Sequence, residues 1–454
     1  MVQLLLPYYQ FPNPAFLIDL GKQTAFGRAV TSPNPKAKKN QRALERTLFS
    51  SNDISISGNP KAKEQRMGRV KSLKLDYGTS EMPGRRGTME DAMATETWYD
   101  EVGDGSDVSA KRQEIALFAV CDGHGDNGVV SNFIASNVSR ILRDCKRDTD
   151  KSISEDITPK DYWNKIWGLA CLQLDDQLRK FDMVAGGSTA VFALVTENEI
   201  IVANVGDSRC ILVCEKDEIL TRTNVNADNA NNDVDVDYIK IKNTGGQHEN
   251  EPLEPPPQLI NEVSIPSRDN AKLITVRALS NDHKPNLPDE CERIQKAGFD
   301  VKDITFEEDG EKITIHKIVK NDKSQLAVSR AFGDFDFKSN NQLQACEQSV
   351  IPCAEVRVHE RNPEEDLYLI LACDGIWDVM TNEEVMDFVQ QQSEIKSMES
   401  VDNILPDIAD ALLQQCLLNQ SRDNMSCILI KLQSSINTTD LSSSSRLPRK
   451  ALFE

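Results

Sequence analysis

The chain has 454 residues, a hydrophobic fraction of 39% and a formal net charge of −20 at pH 7. This length exceeds that of a usual single domain, so we expect one large domain with extensions, or two domains. The strong negative charge argues against a general binder of nucleic acid or of anionic membranes. The 11 cysteines show no CxxC pair and no regular spacing, which favours a reducing compartment and a cytoplasmic or nuclear location.

Residues 1–75 are rich in Pro, Asn, Ser and Lys and show no sustained hydrophobic periodicity. We interpret them as a basic, largely disordered N-terminal extension that precedes the globular part. Within this extension, residues 20–44 carry basic side chains and no acidic ones. An organelle-targeting role therefore stays open beside the simpler interpretation as a disordered arm.

Four apolar runs predict buried strands that lead into or out of acidic residues. The runs are residues 115–121, 200–205, 367–373 and 425–432, which lie next to Asp122, Asp207, Asp374 and Asp423 respectively. Carboxylates delivered to strand ends in this way can converge at one edge of a sheet. A cluster of carboxylates cannot stay ionised in one site without a cation between them.

Helices are predicted between these strands. Apolar residues at helical spacing indicate a helix over 129–145, and Thr158 with Pro159 is a good N-cap and first-turn pair for a second helix that reaches Phe181. Later predicted elements are helices near 288–297, 382–392 and 400–418 and a charged hairpin over 303–322. Strands and helices occur in separate blocks, which favours stacked antiparallel sheets with helices outside them.

Two further segments differ in composition from the predicted core. Residues 224–270 are rich in Asn and Pro and hold nine acidic against three basic residues. This composition predicts an acidic surface insertion. Residues 434–454 are rich in Ser and predict a disordered tail.

The acidic strand ends predict a site for hard divalent cations. Carboxylates and a backbone carbonyl are oxygen ligands that suit Mg²⁺ or Mn²⁺ rather than Zn²⁺. Asp122 is placed to bridge two ions with the carbonyl of Gly123 as a further ligand, and Asp374 and Asp423 would complete the set. Two such ions lower the pKa of a shared water and clamp the oxygens of an in-line displacement.

Two other side chains fit the same chemistry. Arg86 is suited to bind a phosphate bidentately, and His124 is a candidate proton donor to a leaving oxygen. Each residue alone has an ordinary explanation, since an Asp-Gly pair is usually a turn and an isolated Arg or His is usually a surface or structural residue. The combination of these features in a fixed order favours the functional interpretation.

The ordered motifs resemble those of the metal-dependent protein Ser/Thr phosphatases of type 2C. They are RGTMED at 86–91, FAVCDGHG at 118–125, GSTA at 187–190, NVGDSR at 204–209, DHKP at 282–285, LAVSRAFGD at 326–334, ACDGIWD at 372–378 and SRDN at 421–424. The resemblance covers residues 76–433, apart from the acidic insertion, as one catalytic domain. It implies an α+β fold, a four-layer α-β-β-α sandwich of two antiparallel sheets flanked by helices, with a binuclear metal site at one edge.

The resemblance also implies roles for individual residues. Asp122, Gly123, Asp374 and Asp423 match the ligands of two Mg²⁺ or Mn²⁺ ions, and Asp207 and Asp378 match carboxylates of a weaker third metal. Glu90 and Asp91 match the acidic pair that holds metal-bound waters. Arg86 matches the phosphate-binding arginine, and His124 matches the general acid. Asp282, His283, Lys284, Pro285 and Arg330 are interpreted as structural, because polar networks around a buried site outnumber reacting groups.

Two other functions are weighed against this one. Cys416 and Arg422 have the C-x5-R spacing of a cysteine phosphatase, but no phosphate-cradling glycine lies between them, and Cys416 has helical spacing to Leu412 and Leu413. A catalytically silent pseudophosphatase that binds phosphoproteins as a scaffold is the second alternative, although every metal-matching position is intact.

We therefore predict a Mg²⁺- or Mn²⁺-dependent phosphatase that hydrolyses phosphoserine and phosphothreonine by direct attack of metal-activated water, without a phosphoenzyme. The expected partners are phosphorylated protein substrates. We expect no nucleic-acid or membrane partner and a monomeric protein.

Overall fold

Two antiparallel sheets pack face to face in the residues that the computed structural model describes. These residues are 64–102, 111–125, 127–152, 157–181, 184–217, 265–266, 272–308, 311–321, 324–397 and 404–432.

The first sheet has seven strands, and each pair of neighbours is antiparallel. In spatial order they are β1 (Glu64–Val70), β2 (Leu75–Met82), β16 (Met425–Lys431), β15 (Asp366–Ala372), β7 (Arg209–Asp217), β9 (Lys272–Ala278) and β8 (Ile265–Pro266).

The second sheet has six strands. Five of them lie in the order β14 (Glu355–Glu360), β6 (Glu199–Val205), β5 (Gly187–Val195), β4 (Lys111–His124) and β3 (Ala92–Val102). The sixth, β13 (Phe332–Gly333), pairs with β5. A separate three-stranded sheet consists of β10 (Asp300–Glu308), β11 (Glu311–Asn321) and β12 (Ser324–Leu326).

Six α-helices accompany the sheets in this part of the chain. They are α1 (Val129–Asp150), α2 (Pro159–Arg179), α3 (Pro288–Lys296), α4 (Asp374–Trp377), α5 (Asn382–Ser397) and α6 (Leu405–Leu418). Two 3₁₀ turns cover Phe335–Phe337 and Ala345–Glu347. None of the helices in the described part is long and apolar enough to cross a membrane.

The central strand β4 explains the layer order. Phe118 and Val120 belong to the core between the two sheets, whereas Leu117 and Ala119 belong to the core that the second sheet forms with α1 and α2. Successive side chains of a strand point to opposite faces, so a strand covered on both faces is apolar throughout. Helices α5 and α6 cover the outer face of the first sheet. The result is the predicted α-β-β-α sandwich.

Helix α2 begins where the sequence predicts. Thr158 is its N-cap, its side-chain hydroxyl accepts a hydrogen bond of 3.1 Å from the backbone N–H of Asp161, and Pro159 occupies the first turn. A hydroxyl at this position satisfies one of the N–H groups that lack a partner inside the helix.

The predicted extension and insertion contain strands, and the remaining predicted segments lie outside the described residues. Residues 64–70, which we placed in the N-terminal extension, form β1 and pair with β2 along their whole length, so the folded domain begins before residue 76. Within the predicted insertion at 224–270, the short strand β8 pairs with β9. The rest of that insertion, the other residues of the extension and the tail at 434–454 lie outside the described residues.

The cysteines only partly fit the expected reducing compartment. Cys346 and Cys353 form a disulfide with a Cα–Cα distance of 6.0 Å, and the other nine are free.

Candidate metal centre and active site

The predicted acidic residues meet at one edge of the sandwich because of strand pairing. At the end of β15, Ala372 pairs with Arg209 at the start of β7 and with Cys427 in β16. Asp374 follows this point of β15 by two residues. Asp207 and Asp423 shortly precede the other two strands. Antiparallel pairing thus brings three carboxylates that are remote in sequence to the same sheet edge.

Asp122 joins this cluster from the second sheet. It lies near the end of β4, opposite Thr189 of β5. Its side chain shares a hydrogen bond with Asp374, and burial raises the pKa of both carboxyl groups well above the usual range. Repulsion from Asp207 and Asp423 raises both pKa values further. Two carboxyl groups in hydrogen-bond contact cannot both be ionised unless a positive charge compensates them.

Asp91 lies in the same cluster. Its Oδ2 atom accepts a hydrogen bond of 2.8 Å from the hydroxyl of Ser426. Burial raises the pKa of Asp91 to about 7, and Asp374 and Asp423 contribute repulsion. Among the described residues, neither Oδ1 of Asp91 nor Oδ1 of Asp374 has a hydrogen-bond partner, although both atoms are buried. Such atoms are expensive to bury unless they meet a donor or a cation.

Gly123 is required by close packing next to Asp122. A Cβ atom at this position would overlap the backbone carbonyl of Glu90 and the hydroxyl of Ser131. The absence of a side chain lets the backbone on both sides of the cluster come close together. The carbonyl of Gly123 belongs to the same sheet edge as the clustered carboxylates.

Glu90 is fixed by the segment that carries Asp423. Its backbone N–H donates a hydrogen bond of 2.7 Å to the side-chain oxygen of Asn424. Its carboxylate oxygen Oε1 accepts one of 3.1 Å from the backbone N–H of Asn127. The Asn424 side chain also donates to the carbonyls of Pro83 and Thr88, so it holds the segment between them against the site.

Two basic side chains neutralise part of the acidic cluster. Arg86 Nη2 lies 2.6 Å from Oδ2 of Asp423, and its Nε donates to the carbonyl of Arg422. Lys284 Nζ lies 2.5 Å from Oδ2 of Asp207. Burial lowers the pKa of Lys284, but the carboxylates around it outweigh this effect and the net shift is upward.

Asp378 lies on the Lys284 side of the cluster. Burial raises its pKa, the charge of Lys284 lowers it, and repulsion from Asp207 and Asp423 raises it again, with a net upward shift. Asp207 and Asp378 are the two residues that match the third-metal carboxylates, and Lys284 interacts with both.

The clustered carboxylates lie close together but do not form a complete coordination shell for a metal ion. No three His, Cys, Asp or Glu side chains of the described residues surround a common point at coordination geometry. Two of the carboxylates already have basic partners, because Arg86 pairs with Asp423 and Lys284 pairs with Asp207.

His124 has a carboxylate partner that the sequence interpretation missed. Its Nε2 atom lies 2.8 Å from Oδ2 of Asp334, whose side chain is buried. Asp334 ends the LAVSRAFGD motif, so the motif contained the signal, but nothing in the sequence indicated which side chain it meets. Lys284 was likewise interpreted as structural, although it contacts Asp207.

The other residues interpreted as structural make structural contacts. Arg330 donates two hydrogen bonds to Oε1 of Glu290 and one to the carbonyl of Cys353. Asp282 pairs with Arg209. His283 is buried, and its backbone N–H donates a hydrogen bond of 2.9 Å to the carbonyl of Gly206.

The geometry argues against a cysteine phosphatase. Cys416 is buried in α6, where it packs with Leu412 and Leu413. Burial raises the pKa of its thiol to about 12. The nucleophile of such an enzyme is a thiolate, and a thiol with this pKa stays protonated at neutral pH.

Comparisons with known proteins identify the family of the chain. The family profile described as Protein phosphatase 2C matches residues 75–233 and 265–425. Protein phosphatase 1A of Oryctolagus cuniculus is 30% identical over 371 residues, which cover 78% of this chain and 70% of that protein. Protein phosphatase ppm-1.A of Caenorhabditis elegans is 28% identical over 364 residues, which cover 78% of this chain and 59% of that protein.

A solved structure supports the fold. The crystal structure of a phosphatase from Toxoplasma gondii superposes with a TM-score of 0.52 at 22% identity, and the match covers 82% of this chain and 96% of that one. Together with the family profile and the rabbit relative, the α-β-β-α sandwich leads to one assignment. The chain belongs to the protein phosphatase 2C family of enzymes.

Proposed function

We propose that this chain hydrolyses phosphoserine and phosphothreonine in proteins, with two Mg²⁺ or Mn²⁺ ions held by Asp122, Gly123, Asp374 and Asp423. The observation that carries the proposal is the contact between the half-buried residues Asp122 and Asp374, whose pKa values are both raised, mainly by desolvation. A phosphatase site needs positive charge for an anionic substrate, and these carboxylates need positive charge to ionise.

The donor set fits the proposed ions. All four ligands offer oxygen atoms, which hard divalent cations prefer, and Oδ1 of Asp374 is buried without a partner among the described residues. Divalent cations bound here would neutralise phosphate oxygens and lower the pKa of a water molecule. Asp207 and Asp378 would form a weaker third site, where Lys284 already supplies positive charge.

Arg86 binds the substrate phosphate in this proposal. Its guanidinium is exposed and lies at the rim of the carboxylate cluster, held by Asp423 and by the carbonyl of Arg422. A planar guanidinium can present two N–H groups to a phosphate, so it fixes the orientation of the phosphorus for in-line attack.

In this proposal, water is oriented by Glu90 and Asp91, and a proton is donated by His124. The carboxylates of Glu90 and Asp91 are hydrogen-bond acceptors that would orient water molecules inside the cluster. His124, half-buried at the end of β4, would donate a proton to the serine or threonine oxygen as its bond to phosphorus breaks. The leaving alkoxide then departs as a neutral hydroxyl.

The proposed location is the cytoplasm or the nucleus. It is supported by the nine free cysteines, which outnumber the two in the Cys346–Cys353 disulfide. Cell fractionation with an antibody against the chain tests it.

The experiment that tests the function uses a phosphoserine peptide in the presence of Mn²⁺. We expect release of phosphate by the wild type and loss of turnover in Asp122→Ala and in Asp374→Ala. Asp387→Ala is the matched control, because Asp387 lies on α5 outside the cluster. Circular dichroism checks that all three variants fold. Full activity in either site variant contradicts the assignment.

A chelator and a thiol reagent separate this function from its alternatives. A metal-dependent hydrolase loses activity in excess chelator and keeps it after thiol alkylation. A cysteine phosphatase shows the reverse pattern. A pseudophosphatase binds the phosphopeptide without turnover under any condition.

A further inference from the structure

A buried polar network lies behind His124. Asp334, which accepts the 2.8 Å contact from Nε2 of His124, is only 8% exposed. The pair joins two parts of the chain that are far apart in sequence, the end of β4 and the turn after β13. None of the roles described above uses Asp334.

The backbone around Asp334 is shaped for this contact. Asp334 has a left-handed conformation with φ 47°, and its N–H donates a hydrogen bond of 2.9 Å to the carbonyl of Gly186. The left-handed region is unfavourable for residues with a side chain, so surrounding contacts must hold Asp334 there. Gly187 makes room for it, because a Cβ atom at residue 187 would overlap the Asp334 carboxylate and approach His124.

A buried ion pair holds the turn that carries Asp334. Lys338 Nζ lies 2.7 Å from Oδ1 of Asp175 in α2, and their side chains are 1% and 7% exposed. The same oxygen of Asp175 accepts a hydrogen bond of 2.8 Å from the N–H of Gly333, and Lys338 also donates to the carbonyl of Ala331. The ion pair therefore ties both ends of the turn to α2.

Such a pair is better suited to fixing geometry than to adding stability. The desolvation of two buried charges offsets most of their attraction, so a buried pair contributes little net free energy of folding. Its directional hydrogen bonds define one arrangement of the turn instead. Here that arrangement places the Asp334 carboxylate against the ring of His124.

We infer that Asp334 is a positioning residue for His124, and that the buried Asp175–Lys338 pair keeps Asp334 in place. This inference rests on the proposed function, in which His124 donates a proton to the leaving oxygen. A carboxylate that accepts the Nε2 hydrogen fixes the orientation of an imidazole ring. Loss of Asp334 removes this restraint on the orientation of the ring.

The test compares two substrates that differ in their need for a proton donor. A phosphoserine peptide releases an alkoxide and needs the proton, whereas para-nitrophenyl phosphate releases a stable phenolate and does not. In saturating Mn²⁺ we expect Asp334→Ala to lower kcat about 100-fold for the peptide and at most about 3-fold for the aryl phosphate, with KM unchanged. Equal slowing of both substrates, or no slowing of the peptide, overturns the inference.

A conservative variant guards against simple unfolding. Asp334→Asn has the same shape, and its amide oxygen can still accept the Nε2 hydrogen, so it should recover part of the peptide activity lost in Asp334→Ala. Combining Asp334→Ala with His124→Ala should add no further loss for the peptide, because both changes remove the same function. Additive losses contradict the inference.

The ion pair has its own test. Lys338→Met should shift the ratio of the two kcat values in the same direction as Asp334→Ala, while Asp336→Asn, a 78% exposed residue in the same turn, should not. Mn²⁺ affinity, measured by calorimetry, should be unchanged in all these variants. A Lys338→Met protein that melts earlier but keeps the wild-type ratio excludes the positioning role of the ion pair.

Failure of the proposed function and failure of the positioning role give different results. If the wild type hydrolyses neither substrate in Mn²⁺, the proposed function is wrong. If the wild type is active and the Asp334 variants keep its substrate ratio, only the positioning role is wrong.

Discussion

The guanidinium of Arg86 lies 2.6 Å from the carboxylate of Asp423, so the proposed substrate-binding residue and a proposed metal ligand are in direct contact. Asp423 competes with the substrate phosphate for Arg86, and Arg86 competes with the divalent cation for Asp423. A cation bound at Asp423 should therefore release Arg86, and a phosphate bound at Arg86 should release Asp423. Binding of cation and of substrate should therefore be coupled.

Replacement of Arg86 tests this coupling. Arg86→Ala should raise KM for a phosphoserine peptide about 10- to 100-fold, because a charge-assisted hydrogen bond to the phosphate is lost. It should also tighten Mn²⁺ binding, because Asp423 loses its basic partner. Initial rates over a grid of peptide and Mn²⁺ concentrations measure both effects. Arg85→Ala, at the exposed neighbouring position, is the control, and a KM equal to the control's would rule out the phosphate role.

The positive charge of Lys284 should weaken the binding of a cation next to Asp207. Lys284→Met removes the charge that lies 2.5 Å from Asp207 and keeps most of the side-chain volume. We expect calorimetry to show tighter binding of the weakest Mn²⁺ ion, because one less positive charge repels it. Lys296→Met, on the exposed side of α3, is the matched control. Weaker Mn²⁺ binding in Lys284→Met would contradict this role.

The raised carboxyl pKa values predict how stability depends on pH. Burial raises the pKa of Asp91 from 3.8 to about 7, so between these pH values the folded state binds more protons than the unfolded state. In excess chelator, the free energy of unfolding should therefore fall as the pH rises through this range. Above pH 7 the contribution of Asp91 is fully lost.

Cations should reverse this loss. Deprotonated carboxylates bind Mn²⁺ more tightly, so Mn²⁺ should raise the melting temperature more at pH 8 than at pH 5.5. Each kcal/mol of stabilisation corresponds to roughly 1–2 °C in a domain of this size, because the entropy of unfolding grows with chain length. Scanning calorimetry with Mn²⁺ and with chelator measures both shifts. An equal shift at the two pH values would show that these carboxylates do not hold the cation.

Gly123 should tolerate no side chain. Gly123→Ala forces a Cβ atom against the carbonyl of Glu90 and the hydroxyl of Ser131, and overpacking of this kind costs about 1–3 kcal/mol. Gly168→Ala is the control, since Gly168 lies within α2 and its Cβ would meet nothing within 4 Å. Urea denaturation should show a loss for the first variant and a gain of up to about 1 kcal/mol for the second. Equal stability of the two variants would contradict the packing argument.

The strands and helices of the core were largely predictable from the sequence. The apolar run at 115–121 lies within β4, and the Thr158–Pro159 pair marks the start of α2, because burial on both faces and helix capping leave local signals. The strand β1 left no such signal. Its residues, EQRMGRV, are mostly polar, and it is a strand only because it pairs with β2 at the edge of the sheet.

The candidate site was predictable as a set of residue types but not as a set of contacts. Acidic residues at strand ends indicated a cation site, since the chemistry of carboxylates is visible in the sequence. The pairing of Asp423 with Arg86, of Asp207 with Lys284 and of His124 with Asp334 depends on side-chain positions that only the assembled sheets determine.

Diffraction from crystals soaked in Mn²⁺ tests whether these carboxylates hold two ions. The anomalous signal should show two peaks within coordination distance of the Asp122 carboxylate, one of them shared with Asp374 and Asp423, and both peaks should vanish in Asp122→Ala. Crystals without an anomalous peak at Asp122, or with peaks only at carboxylates outside this cluster, would contradict the proposed metal site.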